Sequence, residues 1–130
     1  MKVSLITPSR PIFREKEADY VEFPSVRGYI GVLPGHLPTI GLLSLGILSI
    51  KTGGRVEKYA LEDGFFEIEE DRITLLAKAA HRPAELKRRD LEEEKEKAFQ
   101  ILKTSKNPEE VEKAAKVYTK TSVFLTIAEG

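Results

Sequence analysis

Cysteine is absent from this chain of 130 residues, and histidine occurs only twice, at positions 36 and 81. The absence of cysteine excludes a disulfide framework, a thiolate metal site and a cysteine nucleophile. Two histidines are too few for most zinc sites, which combine several histidine or cysteine ligands. We therefore expect no metal ligands and no thiol chemistry in this protein.

A net excess of either charge is also lacking, since 21 basic residues balance 21 acidic ones. The balance holds on both sides of Arg82, with eleven residues of each sign up to that position and ten of each after it. A sequence-independent nucleic-acid binder needs a basic excess, so we expect no nucleic-acid partner. No unbroken apolar run reaches about 18 residues, and the first six residues lack the apolar core of a signal peptide. These absences predict a cytoplasmic protein.

Glycine and proline are concentrated between Gly28 and Ile50, an uncharged stretch with five glycines and two prolines. Glycine permits turns and close backbone approaches, and proline removes a donor from a strand ladder. The apolar runs between these residues have the length of strands. The stretch therefore predicts several short buried strands joined by tight loops.

The other segments before Arg82 also have the pattern of short strands separated by turn residues. Thr52-Gly53-Gly54 predicts a hairpin turn, because glycine tolerates positive φ. A strand is predicted over residues 17–23 and is expected to stop at Pro24. With turn signals at this spacing, residues 1–82 are predicted to form a β-sandwich of eight to ten short strands.

The pattern changes after Arg82, where glycine is absent until Gly130 and apolar residues recur with a helical period. A first helix is predicted with Asp90 as its N-cap. A second is predicted to begin at Asn107-Pro108, where asparagine caps and proline takes the first helical position. Because the loop between them is short, residues 83–130 are predicted to form a C-terminal antiparallel two-helix hairpin.

The central stretch carries the most distinctive string of the chain. It reads Gly28-x-x-Gly31-Val32-Leu33-Pro34-Gly35-His36-x-Pro38, followed by Gly46-Ile47-Leu48-x-Ile50. It is preceded by Thr7-Pro8-x-x-x-x-Phe13 and Val21-x-x-Pro24. These strings, together with the order of β domain and helical tail, resemble the epsilon subunit of F-type, proton-translocating ATP synthases.

The resemblance implies a non-catalytic subunit of the central stalk, or rotor, of an ATP synthase. The sandwich, residues 1–82, would bind the gamma subunit and the c-ring and so couple proton-driven rotation to ATP synthesis. The hairpin, residues 83–130, would inhibit ATP hydrolysis when it extends along gamma toward the alpha and beta subunits. The implied location is the cytoplasmic face of a bacterial cell membrane, reached only through the complex. The residues by themselves leave two alternatives open, a free-standing ATP-sensing module and a small enzyme that uses His36.

By the same resemblance, the contact with the c-ring falls on Tyr29, Leu33, Pro34, Gly35 and His36. Tyr29 stands where the family usually has an acidic residue, which predicts a more apolar and less salt-sensitive contact. His36 has two other interpretations, the polar tip of a tight turn and a general base. No nucleophile stands beside it and no second histidine lies in the segment, which disfavours the general base, and we assign no catalytic residue.

Members of this family that bind ATP do so through an Ile/Leu-Asp-x-x-Arg-Ala string at the start of the first tail helix. This chain has Leu91-Glu92-Glu93-Glu94-Lys95-Glu96 at that place. Lysine cannot reproduce the bidentate contact of a guanidinium with phosphate, and the added carboxylates repel phosphate. Glu92 and Lys95 are therefore at most a weak nucleotide site, and we expect no cofactor.

Three lysines of the second predicted helix form another candidate contact. Lys113, Lys116 and Lys120 lie at i, i+3 and i+7, so they share one face and are expected to point to water. The resemblance implies that this row meets the alpha and beta subunits when the hairpin opens.

The end of the same helix is apolar almost all round, through Val123, Phe124 and Ile127. One face can pack on the first helix, and the remainder needs another cover. We expect that cover to be either the sandwich of the same chain or the gamma subunit.

Overall fold

A computed structural model describes all residues from 1 to 130, and the chain divides into two compact units, Met1–His81 and Arg82–Gly130. The first unit contains ten strands and the second contains two α-helices. The predicted β-sandwich followed by two helices is confirmed. That the two parts have separate functions stays a prediction.

The strands of the first unit are short, with two to seven residues each. They are β1 (Lys2–Ile6), β2 (Pro11–Glu17), β3 (Tyr20–Ser25), β4 (Gly28–Val32), β5 (Thr39–Leu43), β6 (Gly46–Thr52), β7 (Arg55–Leu61), β8 (Gly64–Glu69), β9 (Arg72–Ala77) and β10 (Ala80–His81). Neighbouring strands pair antiparallel, except that β1 and β9 pair in parallel. The parallel pair places the first strand beside a strand from the end of the unit.

The strands follow one hydrogen-bonded path that folds over on itself around the core. Its order is β10-β7-β6-β3-β5-β8-β9-β1-β2, with β4 beside β3. Phe13 of β2 and Tyr59 of β7 come from opposite ends of this path, yet their ring centroids are 5.3 Å apart. Phe23 is fully buried at the centre, 4.8 Å from the ring of Phe66. Burial of such side chains contributes about 1.5–3 kcal/mol each and holds the two layers together.

The junction of β2 and β7 also carries a polar cluster of Lys16, Glu57 and Tyr59. Lys16 Nζ donates to Glu57 Oε2 at 2.6 Å, and the Tyr59 hydroxyl donates to the same oxygen at 3.0 Å. Burial raises the pKa of Tyr59, and its hydrogen bond to Glu57 adds to the shift. The Lys16 ammonium lowers the pKa of Glu57. Burial is the largest single influence and opposes the charge on Lys16, but the hydrogen bonds and charges of Glu57 and Tyr59 together outweigh it and raise the pKa of the lysine.

The ion pair in this cluster is therefore charged at neutral pH. A partly exposed pair of this kind stabilises the fold by at most about 1 kcal/mol. Because the pKa of Glu57 is lowered, the contribution is lost as pH falls through that lowered value. Because the pKa of Lys16 is raised, the contribution is also lost as pH rises through that raised value.

The predicted hairpin turn between β6 and β7 is confirmed. Thr52 pairs with Arg55, and the two glycines between them have φ values of 56° and 82°. Two positive φ values are typical of the tight turns whose twist matches antiparallel strands. The turn therefore sets the register along the whole of β6 and β7.

Two local predictions for this unit are wrong. The strand expected to stop at Pro24 runs from Tyr20 through the proline to Ser25. Proline removes only the donor of a strand residue, and the carbonyl of Pro24 still accepts from the backbone N–H of Ser44 at 3.1 Å. The stretch 28–50 is also less buried than predicted, because β4 and β5 each bury one residue of five.

The second unit begins with a 3₁₀ turn, Pro83–Glu85, and continues with α1 (Arg88–Thr104) and α2 (Pro108–Leu125). The predicted cap of α2 is confirmed, since Asn107 Oδ1 accepts from the backbone N–H groups of the second and third residues of that helix. The predicted cap of α1 is wrong. That helix begins three residues earlier than expected, and Asp90 lies inside its first turn, where a carboxylate still complements the helix dipole.

The two helices pack side by side through aromatic and small residues. The rings of Phe99 on α1 and Tyr118 on α2 have centroids 6.0 Å apart, and Ala98 and Ala114 are buried. Lys95 lies within the apolar stripe of α1, and its Nζ is 5.2 Å from the centre of the Tyr118 ring. A cation over an aromatic face explains how a lysine fits there. Neither helix is long and apolar enough to cross a membrane.

Candidate functional site

A row of exposed apolar side chains crosses four neighbouring strands of the first unit. Leu42 on β5 lies opposite Phe65 on β8, Phe65 lies opposite Leu76 on β9, and Leu76 lies opposite Ile6 on β1. Leu42, Phe65 and Leu76 are 48, 59 and 45% exposed. Together with the exposed Val26 they line an open cleft of about 710 Å³. We call Ile6, Val26, Leu42, Phe65 and Leu76 the apolar shelf.

The apolar shelf arises from adjacent pairs of apolar residues within the strands. The pairs are Leu42-Leu43, Phe65-Phe66 and Leu75-Leu76. Because successive side chains of a strand point to opposite faces, one member of each pair enters the core and the other faces outward. The inward members are at most 4% exposed. Sequence analysis missed this surface, although the doubled apolar residues were a signal for it.

Contiguous apolar surface of this kind is uncommon on proteins that act alone, and it typically marks a contact with another protein. The exposed Asp63 and Lys78 also line the cleft and supply polar groups beside the apolar centre. An apolar centre with a polar rim is the usual composition of a protein–protein interface. The apolar shelf is therefore the strongest candidate for a subunit contact.

The loop between β4 and β5 is the second candidate surface. Leu33 and Leu37 are 61 and 78% exposed there, and Pro34 and Gly35 are exposed as well. Gly35 has a φ of +87°, and a side chain at this position would meet nothing within 4 Å. Glycine is thus required by the left-handed backbone and not by lack of space. The turn holds two leucines out toward solvent.

His36 lies in the same loop and is partly exposed. Its Nδ1 is 2.8 Å from the carbonyl oxygen of Leu37. A carbonyl only accepts, so Nδ1 is the donor, and the neutral ring offers Nε2 as an acceptor to the outside. No hydroxyl or carboxylate contacts the ring to form a catalytic pair. The enzyme alternative therefore gains no support from this site.

Tyr29, the remaining residue assigned to the c-ring contact, is tied to the sandwich by its hydroxyl. The oxygen accepts from the backbone N–H of Ile47 at 2.9 Å, while the residue stays 56% exposed. A side chain at Gly46 would lie 2.8 Å from this hydroxyl and 2.6 Å from Cβ of Pro24. The lack of a side chain at Gly46 therefore leaves room for the Tyr29 hydroxyl to reach the backbone of β6. The role of Tyr29 in a ring contact stays a prediction.

The lysine row on α2 is only partly as predicted. Lys113 and Lys116 are exposed, and Lys116 Nζ lies 3.7 Å from Glu112 one turn before it. Whether the row contacts other subunits stays a prediction, and Lys120 is less exposed than the other two lysines. Its Nζ lies 6.0 Å from the centre of the Phe124 ring, because residues four apart on a helix are neighbours and the ring attracts the cation.

The second helix stops before Ile127, which is sooner than predicted. The helix stops at Leu125, so Ile127 lies in the turn beyond it, while Val123 and Phe124 occupy the last turn. Phe124 is 3% exposed, and the other two are partly exposed. Which partner covers this end stays a prediction.

The two residues of the weak nucleotide site both lie on α1. Glu92 is exposed on α1, and Lys95 directs its ammonium to the ring of Tyr118. A lysine engaged with an aromatic ring is less free to bind phosphate. The expectation that ATP does not bind here stays a prediction.

Comparison with protein families gives a match over residues 1–83 to the ATP synthase delta/epsilon chain, beta-sandwich domain. The ATP synthase epsilon chain of Koribacter versatilis is 39% identical over 101 residues, which span 78% of this chain and 70% of the relative. The epsilon chain of Anoxybacillus flavithermus is 38% identical over 86 residues, which span 66% of this chain and 63% of the relative.

Solved structures with the same fold come from assembled ATP synthases. A chain of the Euglena gracilis mitochondrial ATP synthase matches with a TM-score of 0.76 and 21% identity, covering 98% of this chain and 76% of that one. A chain of the central stalk and c-ring of the Tetrahymena thermophila mitochondrial enzyme matches with a TM-score of 0.63 and 13% identity, covering 99% and 96%. At these identities the likeness concerns the fold.

Proposed function

Because this chain belongs to the ATP synthase delta/epsilon chain family, we propose that it is a non-catalytic central-stalk subunit of a proton-translocating ATP synthase. It transmits rotation between the c-ring and the catalytic head, and it catalyses no reaction by itself. Its location is the cytoplasmic face of a bacterial cell membrane, where it is held by the complex. The relatives named above are bacterial, which supports this location.

The observation that carries the proposal is the apolar shelf, and its occupant is the gamma subunit. A rotor subunit must stay attached to the gamma subunit under torque, which requires a buried contact of large area. The apolar shelf offers aliphatic and aromatic side chains at its centre and polar groups at its rim. Aromatic anchors such as Phe65 commonly carry most of the energy of an interface.

The loop of Leu33 and His36 is the contact with the c-ring. Exposed leucines beside a histidine acceptor suit a partner surface made of both apolar and polar groups. The hairpin is the regulatory part, and it slows ATP hydrolysis when it opens toward the alpha and beta subunits. We do not assign ATP as its ligand, and the contact of Lys95 with the Tyr118 ring supports that choice.

Truncation of the chain after Arg82 tests both the autonomy of the sandwich and its partner. We expect the truncated chain to unfold in one cooperative thermal transition, because the core of the first unit is made from its own strands. We also expect it to co-purify with the gamma subunit when the two are expressed together. An unfolded product would contradict the autonomy of the sandwich. A folded product that fails to bind gamma would contradict the shelf as the binding surface.

Substitution of Gly35 with valine tests the contact with the c-ring. The positive φ of this residue disfavours a β-branched side chain, so the loop must change shape. We expect proton-driven ATP synthesis to fall about tenfold, which corresponds to roughly 1.4 kcal/mol of lost contact. The matched control is Gly53→Val, which strains a φ of +56° in the β6–β7 turn with equally open space. Equal synthesis by both variants would mean that the loop is only structural.

A further inference from the structure

The hairpin is closed by an arginine at the end opposite its loop. Arg88, the first residue of α1, donates from Nη2 to the carbonyl oxygen of Ala128 at 2.9 Å and to that of Leu125 at 3.3 Å. One guanidinium thus joins the start of the first helix to the end of the second. The residues that follow α2 are held in the same place.

Two backbone hydrogen bonds run beside the arginine. Glu129 donates to the carbonyl of Pro83, and Gly130 donates to that of Leu86, both at 3.3 Å. Leu86 and Ala128 are 6 and 8% exposed. The segment 83–88 and the segment 125–130 therefore lie against each other through hydrogen bonds, and each contains a buried apolar residue.

The electrostatics of α2 explain why an arginine is suited to this place. The C-terminal end of a helix presents free carbonyls and partial negative charge, which a cation stabilises. The last turn of α2 contains no basic residue of its own. The complementary charge comes instead from α1, through a planar group that can reach two acceptors at once. The last-turn carbonyls of Val123 and Phe124 accept from residues just beyond the helix, whereas the Arg88 charge reaches the helix end only while the hairpin is closed.

We propose that Arg88 holds the hairpin closed, and we call this residue the clasp. Release of its two hydrogen bonds at the end of α2 is the step that allows the second helix to separate from the first. The far end of the hairpin is joined by the chain at residues 105–107, so separation has to begin at the Arg88 end. The consequence for ATP hydrolysis rests on the proposed function, whereas the clasp itself is a property of this chain.

The neighbouring arginine provides a matched control. Arg89 is one residue further along α1, and its side chain is 90% exposed. Its guanidinium lies 3.5 Å from Glu93 of the same helix. Arg88→Ala and Arg89→Ala therefore remove the same charge from the same turn, but only the first removes a link between the two helices.

The experiment measures the open fraction of the isolated full chain with a pair of spin labels. Because the chain has no cysteine, Glu92→Cys and Thr119→Cys create unique attachment sites at exposed positions on the two helices. We expect Arg88→Ala to raise the ratio of open to closed hairpin about tenfold, the effect of one charge-assisted hydrogen bond. We expect Arg88→Lys to give a smaller rise, because an ammonium lacks the planar fork, and Arg89→Ala to leave the ratio unchanged.

Equal ratios for Arg88→Ala and Arg89→Ala would overturn the clasp, as would a fully closed hairpin in every variant. If Arg88→Ala lost its helical circular dichroism, Arg88→Lys would decide, and a ratio equal to that of the unchanged chain would overturn the proposal. Hydrolysis by the assembled complex is measured separately and should fall when the hairpin opens more often. An opened hairpin with unchanged hydrolysis would keep the clasp and contradict the regulatory role.

Discussion

Replacement of Phe65 with aspartate is expected to abolish binding of the gamma subunit while the sandwich stays folded. The side chain is 59% exposed and stands at the middle of the apolar shelf, paired with Leu42 on one side and Leu76 on the other. Loss of an interface hot spot costs at least about 2 kcal/mol, or roughly thirtyfold in affinity. An aspartate would in addition be buried without a partner at the interface, which raises the expected loss to about a hundredfold or more.

The matched control for this substitution is Val56→Asp. Val56 is 49% exposed on β7 and lines a different cleft, together with Tyr20 and Lys51. Both substitutions place a charge on an outward position of a strand, so each should change the stability of the fold by less than about 0.5 kcal/mol. Binding is measured by calorimetry with purified gamma. Loss of affinity in both variants, or in neither, would contradict the shelf as the gamma contact.

Conversion of Lys113, Lys116 and Lys120 to glutamate is expected to release ATP hydrolysis in the assembled complex. The proposed brake holds the open hairpin by basic side chains that meet acidic groups on the alpha and beta subunits. Reversal of three charges turns that attraction into repulsion, and several exposed pairs at about 0.5–1 kcal/mol each correspond to an increase of about tenfold. Inhibition should also weaken as ionic strength rises, because exposed charge pairs are screened.

The contact of Lys120 with Phe124 requires a second variant for this test. A glutamate at position 120 would also remove the cation over that ring, so it changes the hairpin as well as the lysine row. Lys113→Glu with Lys116→Glu leaves that contact intact and should retain most of the effect. If neither variant alters hydrolysis but removal of residues 83–130 raises it, the brake exists and the lysines do not hold it. If removal also has no effect, the hairpin is not a brake.

The elements predicted correctly from the sequence are those decided by neighbouring residues. The turn at Gly53-Gly54 follows from their tolerance of positive φ, and the start of α2 follows from Asn107 and Pro108. The change from strands to helices near Arg82 follows from glycine usage and hydrophobic period. Each of these signals acts within a few residues, so no knowledge of the tertiary structure was needed.

The failed prediction of a strand end at Pro24 depended on a partner distant in the chain. Pro24 stays inside a strand because Ser44 donates to its carbonyl, and no local rule supplies that partner.

The cross-strand order decides which surfaces and contacts form. Doubled leucines and phenylalanines show that strands are apolar on both faces, but only the pairing of β5, β8, β9 and β1 aligns their outward members into one shelf. Likewise, the sequence does not distinguish Arg88 from the charged residues beside it. Only the fold of the hairpin places its guanidinium against the carbonyls of Leu125 and Ala128. The sequence by itself determined the elements and their order through local backbone preferences. The tertiary structure decided which side chains meet, because those contacts join residues tens of positions apart.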